Sequence, residues 1–149
     1  MNIFVLDNDP ELAARFLKWG HVPKMIVEST QLLSNCFPEI IAPYKRTHYN
    51  HPCAIWVRES KQNFVWLHIY AKTLCFIYTD RQNRTHACEE KLDWMLDRVS
   101  LLYFPKKGQT KFALAMPDEY KQSNPVLAYR NYYNGEKLHI RPTGKITYA

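Results

Sequence analysis

Hydrophobic positions along this chain recur at steps of three and four. Val22, Met25, Ile26, Ser29, Leu32 and Leu33 form one stripe. That spacing predicts a helix from about Pro23 to Asn35, with Lys24, Glu28 and Gln31 on the neighbouring face. Phe64, Leu67, Ala71, Leu74, Cys75 and Tyr78 predict a second, longer helix that Ser60 is placed to cap. Leu92, Met95, Leu96 and Val99 predict the inward face of another, capped by Thr85. Helix starts use proline at the first turn, where its missing N–H costs nothing: Asp9-Pro10, Pro23, His51-Pro52 and Asn124-Pro125. The first of these helices runs to about Lys18, ahead of Gly20. The last carries Leu127, Tyr129, Tyr132 and Tyr133, is weakened at Gly135 and ends by Pro142. Cys36 to Asn50 holds two prolines and little periodicity, which reads as a long loop. No run alternates at period two over six residues, so Ile3–Leu6 is a short strand or an extended tether. The pattern predicts a mainly α fold: a compact single-domain helical bundle of about five to seven helices over residues 1–149, with at most one short N-terminal strand and a loose tail after about residue 142.

Composition sharpens this in two respects. At 149 residues the chain is one domain and can bury about 68–70% of its unfolded surface without staples. It has only 4 Gly against 10 Tyr, 7 Phe and 4 Trp, and neither G-x-G-x-x-G nor G-x-x-x-x-G-K occurs. A Rossmann or P-loop nucleotide site is thereby excluded, and an all-β fold is disfavoured. Cys36, Cys53, Cys75 and Cys88 make no C-x-x-C pair and read as reduced packing residues. No apolar stretch is long enough to span a membrane, and the apolar start lacks the basic lead of a signal peptide. The expected compartment is the cytoplasm, the host's if the protein is viral. The net charge is +6, carried mostly by residues 99–149, which hold 8 basic and 3 acidic groups. That excess fits either ordinary solubility or attraction of phosphates.

Four constellations could carry chemistry. His21, Lys24 and Glu28 lie within two helical turns, and Lys24 and Glu28 share a face. They read as base, Schiff-base amine and carboxylate, or as a surface ion pair. His48 and His51, beside Cys53, read as a helix cap with a packed partner, as an acid/base or phosphate-contacting pair, or as part of a zinc site. The zinc reading is disfavoured for want of good ligand spacing, and no metal or other cofactor is expected. Arg58, after Trp56, could clamp a phosphate or pair with Glu59 or Asp93. Arg130, Tyr133 and Lys137 interleave charge with aromatics, as phosphate contact and base stacking require; the competing reading puts the tyrosines in the core.

Longer blocks carry a resemblance. Met1-Asn2-Ile3-Phe4-Val5-Leu6-Asp7-x-Asp9-Pro10, His21-Val22-x-Lys24-Met25-Ile26-Val27-Glu28, Thr47-His48-x-Asn50-His51-Pro52-Cys53, Trp56-Val57-Arg58-Glu59-Ser60, Ala115 to Tyr120 and Ala128 to Lys137 resemble a family of small tailed-bacteriophage proteins. That family is loosely similar to phage pyrimidine-dimer DNA glycosylases, which are small, helical, basic and cofactor-free. Asn2 stands where that glycosylase class has a threonine whose amine is the nucleophile, so the resemblance passes that role to Lys24. Trp19-Gly20 replace the family's Asp-Lys before His21, and Pro23 also departs from the pattern.

The resemblance implies a phage protein acting on DNA or nucleotides, most concretely a cofactor-independent DNA glycosylase/lyase. Glu28 would be general acid/base and Lys24 the nucleophile or its electrostatic partner. His21 would be a base, His48 and His51 would handle protons or phosphate, Arg58, Arg130 and Lys137 would hold phosphates, and Tyr133 would stack on a base. The competing expectation is a non-enzymatic binder that sequesters a nucleotide signal or inhibits a host defence protein.

Overall fold

The structure, a computed structural model, describes residues 1–137. The expected tail after residue 142, with Lys145, lies outside the described residues, as does Arg141. Six α-helices occur among those residues: α1 (Pro10–Arg15), α2 (Val22–Ser34), α3 (Pro52–Glu59), α4 (Lys61–Gln82), α5 (Glu89–Leu96) and α6 (Pro125–Tyr132). Short 3₁₀ turns join them, and a π turn, Tyr133–Lys137, follows α6. No strand is formed among the described residues.

The proline starts hold. Asp9 accepts from the N–H groups of Glu11 and Leu12, His51 Nδ1 from Cys53 N–H, and Asn124 from Leu127 N–H. Ser60 caps α4 through Asn63 N–H, and Asn83 ends that helix in the left-handed region at φ +54°. Thr85 caps nothing. The start of α5 instead has His86 Nδ1 accepting from Cys88 N–H. The first helix also stops short of Lys18, because the chain tightens into the 3₁₀ turn Trp19–His21.

Helix α4 is the axis of the bundle and packs on α1, α2, α3 and α5. Its predicted stripe is buried throughout, and Asn63, Trp66, His68 and Tyr70 are buried beside it. A helix surrounded on most sides has no single apolar face, so its pattern shows only part of its burial. Leu96, predicted to face inward, is 45% exposed, and Leu127 on α6 is 46% exposed. Each is on a two-turn helix covered on one side only.

Residues 3–6 are buried but not a strand. Phe4 adopts φ +54°, and Leu6 N–H donates to Phe4 C=O at 2.8 Å, which turns the chain back within three residues. A phenylalanine pays strain in that region, and such strain persists only where neighbours over-determine it. Here the neighbours are aromatic: Phe4 stacks on Tyr132 and meets Tyr133 edge-on. The N-terminal segment is thus threaded into the bundle between α2 and α6.

Candidate active site around the amino terminus

Threading the N-terminal segment inward places its first atoms. The Asn2 amide donates to Ala115 C=O at 2.7 Å, and its carbonyl accepts from the N–H groups of Ile3 and Phe4. The segment around Ala115 is in turn held by Tyr129, whose hydroxyl donates to Ala113 C=O and accepts from Ala115 N–H. Fixed in this way, the amino group of Met1 lies 3.3 Å from Glu28 Oε1, and Glu28 is only 13% exposed. A short ion pair on a largely buried carboxylate is screened much less than a surface pair.

His51, the cap of α3, joins this pair. Its Nδ1 is occupied as acceptor from Cys53 N–H, so in the neutral ring the proton is on Nε2. Burial is the main force holding its pKa below the ordinary 6.5. The Met1 amino group and His48 push the same way, and Glu28 opposes them. His48 sits on the exposed side of the same loop at φ +49°, with Nδ1 paired to the Thr47 hydroxyl at 2.8 Å. The structure therefore brings Glu28, His51 and His48 together with an amine that sequence reasoning did not consider. Asn2 was also missed as a positioning group. A polar residue opening an otherwise apolar run was the available signal.

His21 lies just before α2, about two turns from Glu28. Its Nδ1 pairs with the Tyr133 hydroxyl at 2.5 Å. Burial lowers its pKa, helped by the positive charges of Lys18, Lys24 and Lys137. Lys24 is exposed, and among the described residues no carboxylate is in contact with it. The burial expected to prepare it as a nucleophile is absent. Tyr70 closes the inner side of the site. It is fully buried, its hydroxyl has no hydrogen-bond partner among the described residues, and burial raises its pKa well above 10, with Tyr133, Glu28 and Cys53 adding to the rise. Burial likewise pushes the Cys53 thiol up to about 12, so it is no thiolate nucleophile at neutral pH. Among the described residues, no three His, Cys, Asp or Glu side chains converge as a metal site.

The C-terminal candidates separate. Tyr133 is fully buried, edge-on to Phe4 and His21, and offers no face to a base; base stacking there is corrected to a core role. Arg130 Nε donates to Leu6 C=O at 2.7 Å, and its Nη2 pairs with Asp7 at 3.0 Å. Its guanidinium thus ties α6 to the N-terminal segment. Lys137 is half-buried, with its ammonium 5.2 Å from the Tyr132 ring centroid, and its charge reaches His21. Arg58 donates to Tyr49 C=O and lies 3.6 Å from that ring's centroid. Glu59 pairs with Lys106 and Asp93 with Lys72, and among the described residues neither is ion-paired with Arg58.

The amine, Glu28, the three histidines, Lys24 and Arg58 all precede residue 60. No curated protein and no solved structure matches this chain. A family profile described as pyrimidine dimer DNA glycosylase matches residues 1–90, which hold every one of those groups and α1 through α4. Spanning more than half of the sequence and all of the clustered site, that match shows that the chain belongs to the pyrimidine dimer DNA glycosylase family.

Proposed function

We propose that this protein is a cofactor-independent DNA glycosylase with lyase activity, working through the Met1 amino group. The single observation that carries the reading is the 3.3 Å contact between that amine and the largely buried Glu28. An amine can attack C1′ of a deoxyribose only after it has lost a proton, and Glu28 is the base in contact with it. The N–C1′ bond forms as the C1′–N glycosidic bond breaks. The bonding pair leaves with the base, which gains a proton. Loss of one further proton from the Met1 nitrogen lets its lone pair expel O4′, which is protonated as the sugar ring opens, leaving an iminium between Met1 and C1′. Removal of a C2′ proton then breaks the C3′–O bond and releases the phosphate, which is the lyase step. His51, whose Nδ1 is held by Cys53 N–H, presents its Nε2–H as a hydrogen-bond donor to the leaving group or to a flanking phosphate oxygen, and Glu28 is the base for the C2′ proton. Lys24 and Lys137, whose charges act on His21 beside this site, suit the phosphates flanking the sugar. The target nucleotide would have to be extruded from the duplex to reach Glu28.

The test is borohydride trapping on duplexes carrying a pyrimidine dimer, uracil or an abasic site, followed by peptide mapping. The expected adduct is on the peptide that begins with Met1, and residues added ahead of Met1 abolish it. An adduct on Lys24, or none across the panel, would overturn the proposal.

A further inference from the structure

Three arginines gather away from the Met1–Glu28 pair, in a cavity of about 390 Å³ between the loop after α2 and the segment after α5. Arg46, Arg58 and Arg98 line it, together with Tyr49, Tyr103 and Phe104, and no carboxylate does. Each guanidinium is held in place from one side. Arg46 and Arg58 lie 4.1 and 3.6 Å from the Tyr49 ring centroid. Arg98 lies 4.3 Å from that of Trp94 and donates to Trp94 C=O at 3.1 Å. Only Arg46 has an acidic partner among the described residues: Glu39 at 3.4 Å, itself 64% exposed. Three pre-positioned forks of donors around one cavity repel one another unless an anion joins them. Arginine stacked on an aromatic keeps its remaining N–H groups for bidentate contact with phosphate oxygens. The apolar part of the lining, with Tyr103 87% exposed at the mouth, suits a flat ring beside the phosphate.

From this we infer that the cavity is a nucleotide-phosphate site, binding a phosphate ester through Arg46, Arg58 and Arg98 with an adjoining sugar or base against Tyr103. The phosphate can come from a DNA strand or from a free mononucleotide; the strand version rests on the proposed DNA activity. Tyr49 adjoins His48 and His51 in sequence, so a strand held here would continue the path past those histidines.

The experiment compares the wild-type protein with the single variants Arg46→Gln and Arg98→Gln and the double variant, all at exposed or half-exposed positions that a helical circular dichroism spectrum can check. One arm measures the affinity of an undamaged fluorescent duplex across a salt series. Losing two phosphate contacts should reduce the magnitude of the log K against log salt slope by about 2, while Lys61→Gln, outside the cavity, leaves it unchanged. The other arm titrates thymidine 5′-monophosphate, whose affinity should fall about tenfold or more for each arginine removed if free nucleotide is the ligand. A change in either arm supports the site and identifies the source. Unchanged behaviour in both, with the variants folded, overturns it. Neither arm requires base excision, so a failed trapping experiment and a failed arginine site are told apart.

Discussion

Tyr133 provides the sharpest check on the relation between core and site. Its hydroxyl accepts from Lys18 N–H at 3.0 Å and pairs with His21 Nδ1. Tyr133→Phe removes the oxygen that both groups contact in a half-buried setting. Leaving a buried polar group unpaired costs about 1–3 kcal/mol, so the variant should lose about 2 kcal/mol. At about 2–4 °C per kcal/mol for a chain of this size, the melting temperature should fall by about 4–8 °C. Tyr133→Leu also loses the edge contacts to Phe4 and His21 and leaves a void, and should cost about 3–5 kcal/mol. Thermal melts followed by circular dichroism read both values, and DNA affinity is measured well below the melting range. A base-stacking tyrosine would behave in the opposite way: Phe would be silent, and Leu would lose DNA affinity with its melting temperature unchanged. That second pattern would refute the burial argument, and with it the placement of the N-terminal segment against α6.

Three further outcomes follow from the same contacts. Glu28→Gln should slow borohydride trapping by about 10²–10⁴-fold, the usual scale for a lost proton-transfer group, and, because it leaves the buried Met1 ammonium without its carboxylate, should also cost about 3 kcal/mol, so trapping is measured well below the melting range. Arg130→Met strands Asp7 and the Leu6 carbonyl and should cost about 3 kcal/mol in denaturant melts while the salt slope of DNA binding stays unchanged; a reduced slope would restore Arg130 as a phosphate contact. His21, His51, His68 and His86 all have pKa values lowered from 6.5, each chiefly by burial, so the unfolded chain binds more protons than the folded one below that pH. Stability should therefore be full above about pH 6.5 and fall as the pH drops through 6.5 towards the lowered values; a flat pH 5–7.5 melting series would contradict the burial of these rings.

The apolar stripes and proline starts were enough to predict a helical bundle. Capping and 3.6-residue burial are local properties, readable over one or two turns, and they put α2, α3, α4 and α6 close to where they stand. They also placed Glu28 and Lys24 on one face and marked His51 as a cap. Three matters lay beyond local pattern. An aromatic beside an arginine reads the same whether it meets DNA or the interior, and only packing against Phe4 and His21 put Tyr133 inside. The charge of Arg130 was visible, but the residue that neutralises it, Asp7, is more than a hundred positions away. The contact of Met1 with Glu28 depends on a turn at Phe4 in a backbone region phenylalanine avoids, stabilised by tyrosines from α6 and its following turn. Sequence determines which segments coil and which faces are apolar. Which amine meets the carboxylate is decided by long-range packing, because that packing alone holds a strained turn in place.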